Sequence, residues 1–206
     1  KKGTIMPIFI GDVHGEWTKY NSLIKEIGKP TIQVGDFGIG LGPWPGQDMY
    51  DIELMRNGNH RFGRGNHDNP FLCKENSQYI PDGSLTDEGV YWIGGAMSAD
   101  RNNRISGRDW WPEEELTMDE LYTIMDDYEQ KKPDILASHD CPDFLARYLG
   151  VSVNGDYKSR TRQALDAIVH IHAPKIHIFG HHHKSFDDTI NGVRYICVPI
   201  LSVVEI

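Results

Sequence analysis

Residues 4–15 of this chain read Thr-Ile-Met-Pro-Ile-Phe-Ile-Gly-Asp-Val-His-Gly, an apolar run followed by a polar loop between two glycines. The apolar run is typical of a short buried strand. Residues two apart on an extended chain point to the same side, so we expect Asp12 and His14 to face one ligand. The flanking glycines allow the backbone to turn sharply. The stretch therefore predicts a strand that ends in a metal-binding loop.

The same arrangement, polar residues beside a glycine or directly after a strand, recurs along the chain. The further motifs are Gly35-Asp36, Gly65-Asn66-His67-Asp68, Ser138-His139-Asp140 and Gly180-His181-His182-His183. Strands are predicted over residues 31–35, 135–138 and 176–180, and each leads into a motif. Helical spacing of apolar residues over 16–27 and 159–171 alternates with these strands. The alternation predicts an α/β fold, in which ligands gather at the carboxyl ends of the strands.

Composition limits the class of protein. The 206 residues suffice for one core, so we expect a single domain over residues 1–206. No apolar run of about 18 residues or signal peptide is present, which predicts no membrane association. Three isolated cysteines without a CxxC pair indicate buried thiols in a reducing cytoplasm. The net charge of −9 argues against long nucleic acid as a partner, although bound cations would still allow phosphate substrates.

The motifs supply oxygen and nitrogen donors for a cage around two cations. A carboxylate has two oxygens, so Asp36 can bridge two metals. The remaining candidate donors, besides Asp12 and His14, are Asn66, His139, His181 and His183. His182 lies between two of them and is expected to point to the opposite face. Mixed nitrogen and oxygen ligation without thiolate suits Mn²⁺, Fe, Zn²⁺ or Ni²⁺ more than Ca²⁺.

The five motifs in this order resemble those of the calcineurin-like metallophosphoesterases, and the resemblance extends from residue 12 to residue 183. It implies a four-layer α/β/β/α sandwich with two mixed β-sheets and a metal site at the carboxyl ends of strands. It also implies two divalent metal ions, with Mn²⁺ as the first candidate and Fe, Zn²⁺, Ni²⁺ or Mg²⁺ as alternatives. By this resemblance one ion is bound by Asp12, His14, Asp36 and His183, and the other by Asp36, Asn66, His139 and His181.

The resemblance further implies a hydrolase that cleaves phosphoester bonds. A metal-bound hydroxide would attack phosphorus, so no serine or cysteine nucleophile is needed. His67 directly follows the ligand Asn66 and is expected to lie beside the metals and protonate the leaving oxygen. Asp68 is expected to orient the His67 ring through a hydrogen bond. His67 and Asp68 are therefore the predicted catalytic residues.

The substrate side of the site is predicted from residues 100–111, which contain Arg101, Arg104 and Arg108 together with Trp110-Trp111. Guanidinium groups bind phosphate in a fork, and indole rings stack on bases. Arg101 and Arg104, together with Asn66, are accordingly the candidate substrate-binding residues. The alternative is a solvated loop that the two tryptophans anchor to the core.

The residues after Asp36 distinguish between branches of the family. Phosphoprotein phosphatases usually carry an Asp-Arg-Gly extension there, whereas this chain continues with Phe37-Gly38-Ile39-Gly40. The difference favours a phosphodiesterase that acts on small, nucleotide-like substrates. The alternatives are a phosphomonoesterase for phosphoproteins or metabolites, a nuclease, and a non-catalytic binding scaffold. A scaffold would be expected to lose ligands or His67, and this sequence retains them.

Overall fold

The computed structural model describes residues 7–41, 49–151 and 158–206. The strands in these ranges are β1 (Ile8–Ile10), β2 (Thr31–Gln33), β3 (His60–Phe62), β4 (Ser84–Leu85), β5 (Val90–Ile93), β6 (Ile135–Ser138), β7 (Ile176–Phe179), β8 (Phe186–Ile190), β9 (Val193–Cys197) and β10 (Val203–Glu205). The α-helices are α1 (Trp17–Ile27), α2 (Ile52–Asn57), α3 (Pro70–Lys74), α4 (Met118–Lys131), α5 (Asp143–Tyr148) and α6 (Arg160–Ile171). Two 3₁₀ turns, Arg101–Asn103 and Pro112–Glu114, lie between β5 and α4.

The strands form two mixed sheets. The first has the order β10-β1-β2-β3, with β1, β2 and β3 parallel and β10 antiparallel to β1. The second has the order β4-β5-β6-β7-β9-β8, in which the inner strands are parallel and both edge strands are antiparallel. The parallel strands of each sheet end at one edge. The predicted α/β class with two mixed sheets is confirmed.

Three apolar layers hold the sheets and helices together. Between the sheets, Phe9 and Ile32 of the first sheet share a buried cluster with Trp92 and Ile178 of the second. A second cluster joins the outer face of the first sheet to α1, α2 and α3. Two further clusters join the outer face of the second sheet to α4, α5 and α6. Burial of both faces of both sheets removes apolar surface from water and produces the expected α/β/β/α order of layers.

Local sequence signals set the ends of the helices. Helix α1 ends at Gly28, whose φ of 59° allows its N–H to donate to the carbonyl of Ile24. Helix α4 begins with a capping box, which the sequence Thr117-Met118-Asp119-Glu120 indicates: Thr117 Oγ1 accepts the N–H of Glu120, and the Glu120 carboxylate accepts the N–H of Thr117. None of the helices in the described ranges combines the length and apolar character needed to cross a membrane.

Strand β3 has no counterpart among the predicted strands. Strand β3 pairs in parallel with β2 and leads into the motif that contains Asn66 and His67. Its sequence, His-Arg-Phe, has no apolar run, so hydrophobicity does not indicate a strand there. Its pairing instead places His60 in the interior, where His60 Nδ1 lies 3.0 Å from Thr31 Oγ1. The predicted first strand begins at residue 4, and its residues 4–6 lie outside the described residues.

Candidate metal centre and active site

Asp12, His14 and His183 form a first cluster of donors, just beyond the ends of β1 and β7. Asp12 Oδ2 lies 3.0 Å from His183 Nε2 and 3.6 Å from His14 Nε2. The two histidine nitrogens are 3.0 Å apart. Two nitrogens bound to one cation at about 2.1 Å and at right angles would be separated by about 3 Å. The observed spacing therefore fits donors that share one metal ion.

Asp36, His139 and His181 form a second cluster, whose ligand atoms all lie within 4.8 Å of one another. His139 Nε2 is 3.3 Å from Asp36 Oδ2 and 3.1 Å from Asn66 Oδ1. Asp36, His139 and Asn66 are buried. The first sheet contributes Asp36 and Asn66, and the second contributes the two histidines, so the cluster lies where the two sheets meet.

Asp36 connects the two clusters. Its Oδ2 lies 3.9 Å from His14 Nε2 as well as 3.3 Å from His139 Nε2. Its Oδ1 accepts the backbone N–H of His67 at 2.8 Å, which fixes the orientation of the carboxylate. One carboxylate therefore lies within reach of donors from both clusters.

The backbone around the clusters adopts unusual conformations, and the glycines of the motifs leave room for the donor side chains. Left-handed φ angles of 49° to 63° occur at His14, Asp36, His181 and His183. Non-glycine residues seldom adopt this conformation, and it concentrates at functional sites. A Cβ at Gly35 would lie 2.3 Å from His139 Nδ1, and one at Gly65 would lie 2.1 Å from Asp36 Oδ1. The glycines are therefore needed for the donors of the two sheets to approach each other.

The electrostatics of the centre favour bound positive charge. Burial alone would raise the pKa of Asp36, but the neighbouring His139 outweighs burial and holds this pKa well below its usual value. Burial would lower the pKa of His139, but Asp36 and Asp12 raise it to about 10. The raised pKa of His139 reflects the negative charge that the buried carboxylates of Asp12 and Asp36 place in this pocket. The oxygen and nitrogen donors at these spacings therefore fit divalent metal ions.

His67 lies at the edge of the centre, with its Nε2 3.9 Å from Asp36 Oδ2. Arg104 Nη1 lies 2.8 Å from His67 Nδ1, and Arg104 Nη2 lies 3.4 Å from His67 Nε2. A guanidinium can only donate, so we assign Nδ1, the nitrogen in the shorter contact, as the acceptor and place the ring proton on Nε2. Burial lowers the pKa of His67; Asp36 opposes this shift and Arg104 reinforces it. In this assignment the nitrogen that faces the candidate metal centre, Nε2, carries the N–H group.

The expected hydrogen bond between Asp68 and His67 is not formed. The Asp68 carboxylate is buried and accepts backbone N–H groups instead, at 2.6 Å from Gly38, 2.9 Å from Ile39 and 2.8 Å from Gly65. These bonds tie the loop after β2 to the loop after β3. Asp68 therefore orients the backbone beside Asp36, and Arg104 is the residue that contacts the His67 ring.

The predicted use of Arg104 as a phosphate ligand stays a prediction, and the structure shows which protein groups already bind this side chain. Its guanidinium donates to both carboxylate oxygens of Asp100, at 2.7 and 2.8 Å, and to the carbonyl of Asp109 at 3.1 Å. With the His67 contact, both edges of the guanidinium are bound by the protein. Arg101 lies in the neighbouring 3₁₀ turn, and its substrate-binding role stays a prediction.

The tryptophans of this segment act as anchors. Trp111 is buried, so its ring is not available for stacking on a base, and Trp110 is partly buried. Of the two interpretations of residues 100–111, the structure favours a loop that its tryptophans fix to the core.

His182 points away from the cage, as the alternation predicts. Its Nε2 lies 3.0 Å from Asp140 Oδ1, and Asp140 Oδ2 accepts a 2.7 Å hydrogen bond from Arg162 Nε. This buried network holds the loop with His181 and His183 against the loop with His139. The sequence offers no signal for Arg162, because its partner lies 22 residues away on another element.

Comparisons with known proteins agree with the geometry. The family model of the calcineurin-like phosphoesterases matches residues 7–185. The solved structure of TT1561 from Thermus thermophilus is 11% identical, with a TM-score of 0.55 over 97% of this chain and 91% of that one. A putative 5'-nucleotidase from Staphylococcus aureus, in complex with alpha-ketoglutarate, is 12% identical, with a TM-score of 0.53. That match covers 97% of this chain but 49% of the nucleotidase.

A search of curated proteins gives no match. The identities to the solved structures are low, so these structures show a shared fold alone. The family model, in contrast, covers most of the sequence and includes every candidate ligand from Asp12 to His183. The chain therefore belongs to the calcineurin-like phosphoesterases, a family of metal-dependent hydrolases that cleave phosphoesters with a centre of two divalent metals.

Proposed function

We propose that the two donor clusters hold the two divalent cations of this hydrolase. One cation would be bound by Asp12, His14, Asp36 and His183, and the other by Asp36, Asn66, His139 and His181. The donor spacings, the position of Asp36 and the attraction of the pocket for positive charge support this assignment. Mn²⁺ is our first candidate, with Fe, Zn²⁺, Ni²⁺ or Mg²⁺ as alternatives, because the donors mix nitrogen and oxygen. When bound, such ions activate water and neutralise charge on phosphoryl oxygens.

We propose further that the substrate is a small phosphodiester, with nucleotide-like compounds as the first class to test. The observation that carries this proposal is the engagement of Arg104 with Asp100, Asp109 and His67. A phosphomonoester carries a second negative charge, which a free guanidinium fork would suit. A diester carries one charge and needs space on both sides of phosphorus. The side chain of His183 is 42% exposed, which leaves room on that side of the centre.

Three residues outside the donor clusters, His67, Arg104 and Asp68, have further proposed roles. His67 Nε2–H lies on the side of the centre and would donate a hydrogen bond to the leaving oxygen, with the ring staying neutral. Arg104 would hold the ring in that tautomer. Asp68 would keep the loops that carry Asp36 and Asn66 in register. We also propose that the chain acts as one domain, because residues from Phe9 to Val198 contribute to the core between the sheets.

The ester preference can be tested with two chromogenic substrates. We expect the chelated protein, restored with Mn²⁺, to cleave bis-p-nitrophenyl phosphate faster than p-nitrophenyl phosphate, and to cleave neither before metal is restored. Release of nitrophenolate at matched metal loading measures both rates. Faster cleavage of the monoester would contradict the phosphodiesterase proposal and favour a phosphatase. Turnover of neither ester by protein with two bound metals would contradict small phosphodiesters as the substrate class.

Replacement of Arg104 distinguishes its two possible roles. We expect Arg104→Ala to lower kcat about 10–100-fold, the usual cost of removing a group that orients another functional residue, with little change in KM. Steady-state kinetics on the diester measure both constants. Arg108→Ala is the matched control, because Arg108 is an exposed arginine of the same segment. A raised KM with unchanged kcat would show instead that Arg104 binds substrate.

A further inference from the structure

Asn66 has two chemically different ends, and the candidate metal centre can use only one of them. Its Oδ1 faces His139 Nε2 at 3.1 Å, on the side of the second donor cluster. Its Nδ2 donates to Ser98 Oγ at 2.9 Å. The two ends of an amide have nearly the same shape, so a flipped side chain would fit the same space. A flipped Asn66 would direct N–H groups, which cannot bind a metal, towards the cation.

Ser98 fixes which way the amide points, because the donor and acceptor roles of its hydroxyl are set by Glu114. Ser98 Oγ–H donates to Glu114 Oε2, and the backbone N–H of Ser98 donates to Glu114 Oε1 at 3.1 Å. With its proton directed to the carboxylate, the hydroxyl oxygen offers lone pairs to Asn66. An N–H group satisfies those lone pairs, whereas the amide oxygen would repel them.

Glu114 is itself held firmly by the fold. Glu114 lies in the 3₁₀ turn Pro112–Glu114 and is only 2% exposed. Its carbonyl oxygen accepts a hydrogen bond from Arg64 Nη1 at 2.9 Å, and Arg64 Nε donates to Asp82 at 2.7 Å. The series of contacts therefore runs from a buried ion pair, through Glu114 and Ser98, to the amide of Asn66. Buried hydrogen-bonded series of this kind have one favoured arrangement, since any reversed member leaves a polar group unpaired.

We propose that Ser98 and Glu114 are positioning residues that hold Asn66 Oδ1 towards the second cation and so set the affinity of that metal position. The inference rests on the proposed function, because Asn66 must be a ligand for its orientation to matter. Neither Ser98 nor Glu114 belongs to the donor clusters themselves. Their effect would reach the metal only through the amide.

The test measures metal binding directly. We expect Ser98→Ala to weaken binding of the second Mn²⁺ about 10–100-fold, as loss of a group that orients a ligand usually does, and to leave the first Mn²⁺ unchanged. Calorimetric titration of the chelated protein gives both constants. Ser98→Thr retains the hydroxyl and should restore the second constant towards the wild-type value. If Ser98→Ala bound the second Mn²⁺ as tightly as the wild-type protein does, the proposal would be overturned.

A double-mutant cycle separates positioning from general destabilisation. If Ser98 acts through Asn66, Ser98→Ala should have no further effect on metal affinity once Asn66 is alanine. The same loss in both backgrounds would show a structural effect and overturn the proposal. Glu114→Gln gives an independent variant: it keeps the shape but replaces an accepting oxygen with an N–H₂ group, so weaker second-site binding is expected. If the wild-type protein bound no second cation, the proposed function itself would be refuted. That outcome is distinct from failure of the positioning proposal, in which the wild type binds two cations and Ser98→Ala binds them equally well.

Discussion

Replacement of Asp36 by asparagine is expected to remove both metal ions at once. Its Oδ2 lies within 4 Å of both His14 and His139, which belong to different clusters. The amide would remove a negative charge from the centre and replace one oxygen donor with N–H₂. Loss of a group that merely orients a ligand costs about 10–100-fold in metal affinity, so loss of a shared ligand should cost at least about 100-fold at each position.

Metal content after dialysis, measured by elemental analysis, tests this expectation. Glu88→Gln is the matched control, because Glu88 is another largely buried carboxylate, with Arg61 as its partner. That control should lose stability and retain both metals. Two metals bound to Asp36→Asn at wild-type affinity would refute the assignment of Asp36 as the bridging ligand. Loss of one metal alone would place Asp36 in a single cluster.

The sequence predicts the frame of the site well because its signals are local. An apolar run followed by a glycine and a polar donor identifies β1, β2 and β7, together with Asp12, Asp36 and His181. The backbone of a parallel strand delivers each donor to the same edge, so knowledge of the strand order is not needed to predict that the donors meet. The capping box of α4 and the glycine after α1 are equally local, which explains the agreement at these helix ends.

Contacts between distant segments are where sequence-based prediction fails. The expected pairing of His67 with Asp68 assumes that neighbours in sequence contact each other. The Asp68 carboxylate instead accepts backbone N–H groups of the loop after β2, and the guanidinium of Arg104, 37 residues from His67 in sequence, contacts the His67 ring. Ser98 and Glu114 share no motif with Asn66, from which Ser98 is separated by 32 residues. Nothing short of the packed fold shows which polar side chains meet inside it.

Removal of the His67 imidazole is expected to separate turnover from metal binding. His67 contacts the centre from the side: its Nε2 is 3.9 Å from Asp36 Oδ2, and its Nδ1 is bound by Arg104. Removal of one positioned hydrogen-bond donor to a developing oxyanion typically costs about 10²–10³-fold in rate. His67→Ala should therefore lose that factor in kcat and retain two metals. His170→Ala, which changes an exposed histidine on α6, should retain both activity and metal.

The leaving group gives a sharper test of what His67 does. Nitrophenolate is a stable anion and needs little protonation, whereas an alkoxide cannot leave without a proton or hydrogen bond. If His67 Nε2–H assists the leaving oxygen, His67→Ala should slow cleavage of an alkyl phosphodiester far more than cleavage of a nitrophenyl diester. An equal loss for both substrates would show that His67 acts on the phosphoryl group or the attacking water instead. Loss of a metal in His67→Ala would make it a ligand, and would contradict the position proposed for its ring beside Arg104.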